Sequence, residues 1–239
     1  TLSRLTRSSI LALALEWLDS ANVQLCEPYL LDEEHGDGDG YIDAPYDPTQ
    51  SIEELREVYQ EYQARKGTKR EIIDRIIEGD WRHGLTLYQL AMAETRYLID
   101  HPTSQRWNAL KLIKKGSEED TTDEDLQVDK HDYLPRFHAQ TFLLNLQREI
   151  SSITKAHHYL TRPQSLPVTL LRIFLHHSPY NTQRSVIDAT MPKQGLSEGM
   201  RSIFIVFPDG SPFVYVSLPT ATIQAPGVEG RSLQRIVIE

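Results

Sequence analysis

The chain has 239 residues, 39% of them hydrophobic, and a net charge of −9 at pH 7; that is long enough for one large domain or two small ones with a real core, and far from the composition of a disordered protein. No apolar run reaches the roughly 18 residues of a membrane helix, and the short apolar stretch from Ile10 to Leu18 is broken by Glu16 and lacks the small-residue cleavage site of a signal peptide. One cysteine, Cys26, excludes an internal disulfide and points to a reducing compartment.

In chain order, Leu5, Ile10, Leu11, Leu13, Leu15, Trp17 and Leu18 predict a first, mostly buried helix, behind a Thr1 that leaves room for residues ahead of it. His35 to Gly40, with Pro45 and Pro48 after it, reads as a loop. Ser51 with Glu54, Thr68 with Glu71 and Thr86 with Gln89 each have the spacing of a capping box. They predict helices ending near Gly67, Gly79 and Asp100, the last just before Pro102. Trp107, Leu110 and Ile113 predict one more short helix, so residues 1–115 read as a helical bundle. Residues 116–132 are an acidic Ser/Thr/Asp-rich linker or insertion. A helix is expected from about His138 to Ile153, with Phe142, Leu143, Leu146 and Ile150 on one face. Strands follow at 157–160, 168–175, 201–207, 213–218 and 236–238, and Pro-Asp-Gly-Ser-Pro between the third and fourth marks a hairpin. The expected fold class is α+β: a helical bundle, then an antiparallel sheet with a packed helix over 133–239.

The acidity is local. Residues 32–61 hold eleven acids and one base, and residues 118–132 eight acids and one base. Between them, 62–115 holds eleven basic and six acidic residues, and 133–239 holds ten and six. Binding follows local potential more than the total, so a polyanion partner stays open. The basic residues form groups: Arg4 and Arg7; Arg65, Lys66, Lys69 and Arg70 around Gly67, where a helix start with free N–H groups would make a phosphate site; and Lys111, Lys114 and Lys115, with Arg106 upstream.

Other chemistry is thin. Asp37-Gly-Asp-Gly-Tyr-Ile-Asp43 resembles the middle of an EF-hand calcium loop, but Tyr46 stands where the bidentate carboxylate belongs, so no calcium is expected there. His157-His158 and His176-His177 could face each other across two strands, yet alternation gives each face one ligand per pair, a poor zinc site. No nucleophile elbow, phosphate loop or dinucleotide fingerprint is present, and Cys26, in Leu-Cys-Glu-Pro, has no base beside it. The chain reads as a non-enzyme with no cofactor and no metal.

The segment from Asp74 to Ala91, with the words Gly-Asp-Trp-Arg-His-Gly-Leu and Gln-Leu-Ala, resembles the fungal branch of the CENP-N family of inner-kinetochore proteins. So do Phe142 to Gln147, His158 to Pro163, Ser165 to Val168 and the spacing of Trp107 to Lys111. The resemblance implies a pyrin-like domain followed by an α+β domain of the type shared with CENP-L, and a nuclear, centromeric location. It further implies DNA-backbone contact in a groove between the domains and pairing with CENP-L and other inner-kinetochore subunits, the CENP-L surface lying C-terminal to Glu239. Arg4, Lys69, Arg70, Lys111, Lys114 and Arg162 fall on basic positions of the family; Arg7, Lys66 and Lys115 join them as neighbours. The acids with which animal relatives read the histone CENP-A have no match. The leading reading is a scaffold subunit that binds centromeric DNA or nucleosomes through phosphate neutralisation. The alternative is an adaptor whose basic groove receives an acidic partner segment.

Overall fold

The computed structural model describes residues 1–31, 45–112, 138–151, 155–176 and 200–218. It divides into two compact units, Thr1–Ser104 and Gln105–Glu239.

The first unit is helical. A 3₁₀ turn (Leu2–Arg4) precedes α1 (Arg7–Trp17), α2 (Ile52–Ala64), α3 (Lys69–Asp74), a π-helical stretch (Arg75–Asp80) and α4 (Leu87–Asp100). Every one of the four α-helices starts on a hydroxyl that accepts a free N–H. Thr6 takes Ser9 N–H (3.1 Å), Ser51 takes Glu54 N–H (3.1 Å) and Thr68 takes Glu71 N–H (3.2 Å). At Thr86 the box is reciprocal, with Gln89 Oε1 returning to the Thr86 N–H at 2.9 Å. Glu54 instead accepts from Gln50 N–H (2.8 Å), and Glu71 turns to Arg65.

Helix α1 buries Ile10, Leu11, Leu13, Ala14 and Trp17 over one broad face, whereas α2 buries a narrower stripe of Leu55, Tyr59 and Tyr62. Trp17 meets Trp81 edge-on at 5.0 Å, and the Trp81 indole N–H donates to Cys26 O at 2.8 Å. Gly79 does not end its helix. The backbone widens to i→i+5 bonding there, with Trp81 N–H reaching Ile76 O at 2.9 Å. This extra residue in the turn carries Asp80 onto the face of Arg75, so that Arg75 Nε and Nη2 donate to its carboxylate at 3.0 and 3.3 Å. Tyr59 Oη donates to the same carboxylate at 2.7 Å. Gly79 packs tightly against Tyr46: a Cβ there would stand 3.0 Å from Tyr46 Cβ, so that the neighbour would have to give way.

Among the described residues the second unit holds a five-stranded antiparallel sheet in the order β1-β5-β4-β3-β2. The strands are β1 (Arg106–Lys111), β2 (Lys155–Thr161), β3 (Val168–His176), β4 (Met200–Pro208) and β5 (Phe213–Leu218). Alternation sends Leu171, Ile173, Ile203, Ile205, Val214 and Val216 to one face, where α5 (Ala139–Ser151) covers them with Leu146, Phe142 and Leu143. Gly210 holds the β4–β5 turn at φ +64°, the left-handed conformation the Asp-Gly pair predicts. The short helix expected around Trp107 is β1. Trp107 and Leu110 stand three apart as on a helix, but both lie in an edge strand paired with β5 from Arg106↔Leu218 to Lys111↔Phe213. The open edge of β5 decides the conformation over the local pattern. The loop from His35 to Gly40, Ile113, the acidic linker and the strand at 236–238 lie outside the described residues.

Candidate nucleic-acid interface

In the helical unit, two basic groups that are some sixty residues apart in sequence come together. Lys69 Nζ donates to Ser3 O at 2.7 Å and to Leu5 O at 3.2 Å, closing the end of the 3₁₀ turn. Arg7 Nη2 donates to Arg65 O at 3.0 Å and to Tyr62 O, closing the end of α2. The start of the chain and the α2–α3 junction are therefore tied by two cations, and Arg4, Arg7, Lys66, Lys69 and Arg70 stand on joined elements.

These side chains are not equivalent. Arg7 and Lys69 are half-buried and engaged with main-chain carbonyls, whose negative ends they neutralise. Arg65 lies against the Glu71 carboxylate, which raises its pKa further, and over the Tyr62 ring at 4.6 Å. Arg70 pairs with Asp74 at 3.4 Å, yet its side chain is 89% exposed, and an exposed pair of this kind is worth about 0–1 kcal/mol. Its guanidinium can exchange that partner for a phosphate at small cost. Lys66 is exposed. Arg4 lies with its guanidinium carbon 4.1 Å from the Tyr97 ring centroid. At the start of α3, Thr68 already satisfies one N–H and Glu71 brings negative charge into the first turn. The cations, rather than that helix end, are what would draw an anion. At Gly67 a Cβ would come within 2.8 Å of Glu71 Oε2, which the flexible glutamate side chain could relieve by moving.

In the sheet unit, Lys111 is exposed at the end of β1, opposite Phe213. Arg162 follows β2 directly and forms an ion pair with Asp209, 65% of its side chain remaining exposed. The register puts both at one end of the sheet: β1, β2 and β4 finish there, and β3 and β5 begin. Four interstrand steps of about 4.8 Å separate the two edge strands, so these cations stand roughly 19 Å apart. Arg106 does not cluster with Lys111. Along a strand the five intervening steps put them about 17 Å apart, and odd spacing puts them on opposite faces. Lys114 and Lys115 lie outside the described residues.

The histidine pairs do not oppose each other. His157 faces Phe174, His158 faces Ile173, and His176 pairs with Lys155; His177 is not described. Burial holds the pKa of both His157 and His158 below the ordinary 6.5, with the Arg172 charge adding to the effect at His157 and His157 adding to it at His158. Among the described residues no group of three or more His, Cys, Asp or Glu is placed to hold a metal ion, and no helix is long and apolar enough to cross a membrane. Cys26 is buried, and that burial, with Glu16 adding to it, pushes its thiol up to about 12.

The chain matches, over residues 1–239, the family model described as centromere protein Chl4/mis15/CENP-N. It is similar to the inner kinetochore subunit CHL4 of Saccharomyces cerevisiae, with 25% identity over 165 residues, which cover 64% of this chain and 33% of that protein. The chain thus spans about a third of the length of this relative.

Proposed function

Since the chain belongs to the Chl4/mis15/CENP-N family of centromere proteins, we propose that it is part of an inner-kinetochore subunit that works in the nucleus at the centromere, gripping the backbone of duplex DNA and pairing with CENP-L. The observation that carries the DNA reading is the joining of Arg4 and Arg7 to Lys66, Lys69 and Arg70 through the Lys69–Ser3 and Arg7–Arg65 hydrogen bonds. Acids meet this group at Glu71 and Asp74, each half-buried and paired with an exposed arginine. Lysines and arginines in such a group neutralise phosphates and release counterions, a contact that positions the protein without reading sequence. Lys111 and Arg162 extend the same chemistry to the sheet unit. The CENP-L and kinetochore partners rest on family membership.

The test is duplex affinity against salt. The slope of log K against log salt is expected to scale at about 0.9 per phosphate neutralised. Lys66→Ala with Arg70→Ala, two exposed residues with little structural work, should lower it by roughly 2. An unchanged slope removes Lys66 and Arg70 from the DNA-contacting surface. Binding to an acidic peptide with no binding to a random duplex would replace the DNA reading by the adaptor reading.

A further inference from the structure

Arg4 is held without the polar partners that engage Arg7, Arg65, Lys69 and Arg70. Arg7 and Lys69 give N–H donors to carbonyls, Arg65 gives one to the Glu71 carboxylate, and Arg70 lies in an ion pair with Asp74. Arg4 is held over a ring: its guanidinium carbon sits 4.1 Å from the Tyr97 ring centroid, and among the described residues its side chain makes no hydrogen bond or ion pair. A cation–π contact leaves both the charge and the in-plane N–H fork unspent, and that fork is the part that matches two phosphate oxygens. The ring is itself fixed. His101 stacks on it at 4.5 Å with 20° between the planes, and the His101 N–H closes the end of α4 on Tyr97 O at 2.9 Å. Tyr97 lies in the last turn of α4, where the negative pole of the helix adds to the attraction. Ser9 Oγ, donating to Asp100 Oδ2 at 2.8 Å, ties this end of α4 to the start of α1.

We infer that Tyr97 is a positioning residue for DNA: it holds the Arg4 guanidinium over its ring, with its donors free, so that a backbone phosphate meets a fork already in place. The inference rests on the DNA reading above and adds to it a residue with no charge and no place in a basic cluster. Its energetic content is side-chain freedom. An arginine that must be ordered on binding carries about 2 kcal/mol of rotamer entropy, a factor of about thirty in affinity, and Tyr97 removes up to that much beforehand.

The experiment is a double-mutant cycle read by duplex affinity and salt slope on the whole chain. Arg4→Ala should lower the slope by about 0.9, one phosphate. Tyr97→Leu should weaken binding by up to about thirtyfold with the slope kept, because the arginine still reaches its phosphate but must be ordered to do so. Tyr97→Phe, which keeps the ring, should bind as the natural chain does. In the Arg4→Ala background Tyr97→Leu should cost nothing further. An equal loss in both backgrounds would mean that Tyr97 acts only on the fold, and would overturn the inference. So would no loss at all, an equal loss in Tyr97→Phe, or an Arg4→Ala slope equal to that of the natural chain; in these cases Lys66 and Arg70 still carry the DNA reading. Failure of the natural chain to bind any duplex would remove both.

Discussion

Replacing Asp80 with alanine should cost the helical unit about 3–5 kcal/mol. The Arg75 side chain is 12% exposed and that of Asp80 1%, and both guanidinium donors aimed at the carboxylate, at 3.0 and 3.3 Å, lose their partner together. Removing one member of a buried pair strands the other charge, which is the source of that magnitude. Tyr59 Oη, at 2.7 Å, loses its acceptor as well. For a unit of about a hundred residues, whose whole stability is about 5–15 kcal/mol, the unfolded fraction should rise roughly a hundred- to several-thousandfold, and the melting temperature should fall by at least about 12 °C. Urea unfolding followed by tryptophan fluorescence reads this, since Trp17 and Trp81 lie in the same core. Glu78→Ala, at an exposed position of the same π-helical stretch, should stay within about 0.5 kcal/mol. Arg75→Met added to Asp80→Ala should recover much of the loss, because it removes the stranded cation. A loss below about 1 kcal/mol in Asp80→Ala would refute the argument that the widened turn exists to bury this pair.

Two further outcomes follow from buried titratable groups. His157 and His158 have folded-state pKa values below 6.5, so they contribute stability above pH 6.5 that is lost as the pH falls from there toward their folded values; the slope for each is at most about 1.4 kcal/mol per pH unit. Urea midpoints from pH 7.5 to 5.5 should fall more steeply for the natural chain than for His157→Gln/His158→Gln, and equal slopes would contradict the burial argument. Cys26, whose thiol burial pushes up to about 12, should react with a thiol reagent at pH 8 only as fast as the helical unit opens, and labelling at the rate of a free thiol would show the core to be looser than described.

Much of the fold was legible because it is written locally. Hydroxyls at Ser51, Thr68 and Thr86, each three residues before Glu or Gln, marked helix starts, and β-branched runs marked β3, β4 and β5. What escaped depends on partners far away in sequence. The segment around Trp107 becomes a strand because β5 offers it an edge. The turn at Gly79 widens because Asp80 must reach Arg75 and Tyr59. The words from Asp74 to Ala91 that carry the family resemblance turn out to be architecture: Trp81 fills the core, Gly79 admits Tyr46, and Gln89 completes a cap. Of the candidate cations, sequence showed charge but not employment. That Arg7 and Lys69 close helix ends, while Tyr97 waits ninety-three positions from Arg4, is set by packing alone.

The strand order has a consequence for the chain as it is made. Of the described strands β1 is synthesised first and pairs with β5, the last, with Arg106 opposite Leu218. At about 5–20 residues per second, β1 leaves the ribosome some 5–20 seconds before its partner exists. The helical unit, complete at Ser104, can fold in that interval, while Trp107 and Leu110 await a neighbour. The sheet unit is thus obliged to close late, and a ribosome that pauses between residues 112 and 213 would prolong the time for which an unpaired, half-apolar strand is on offer to other chains.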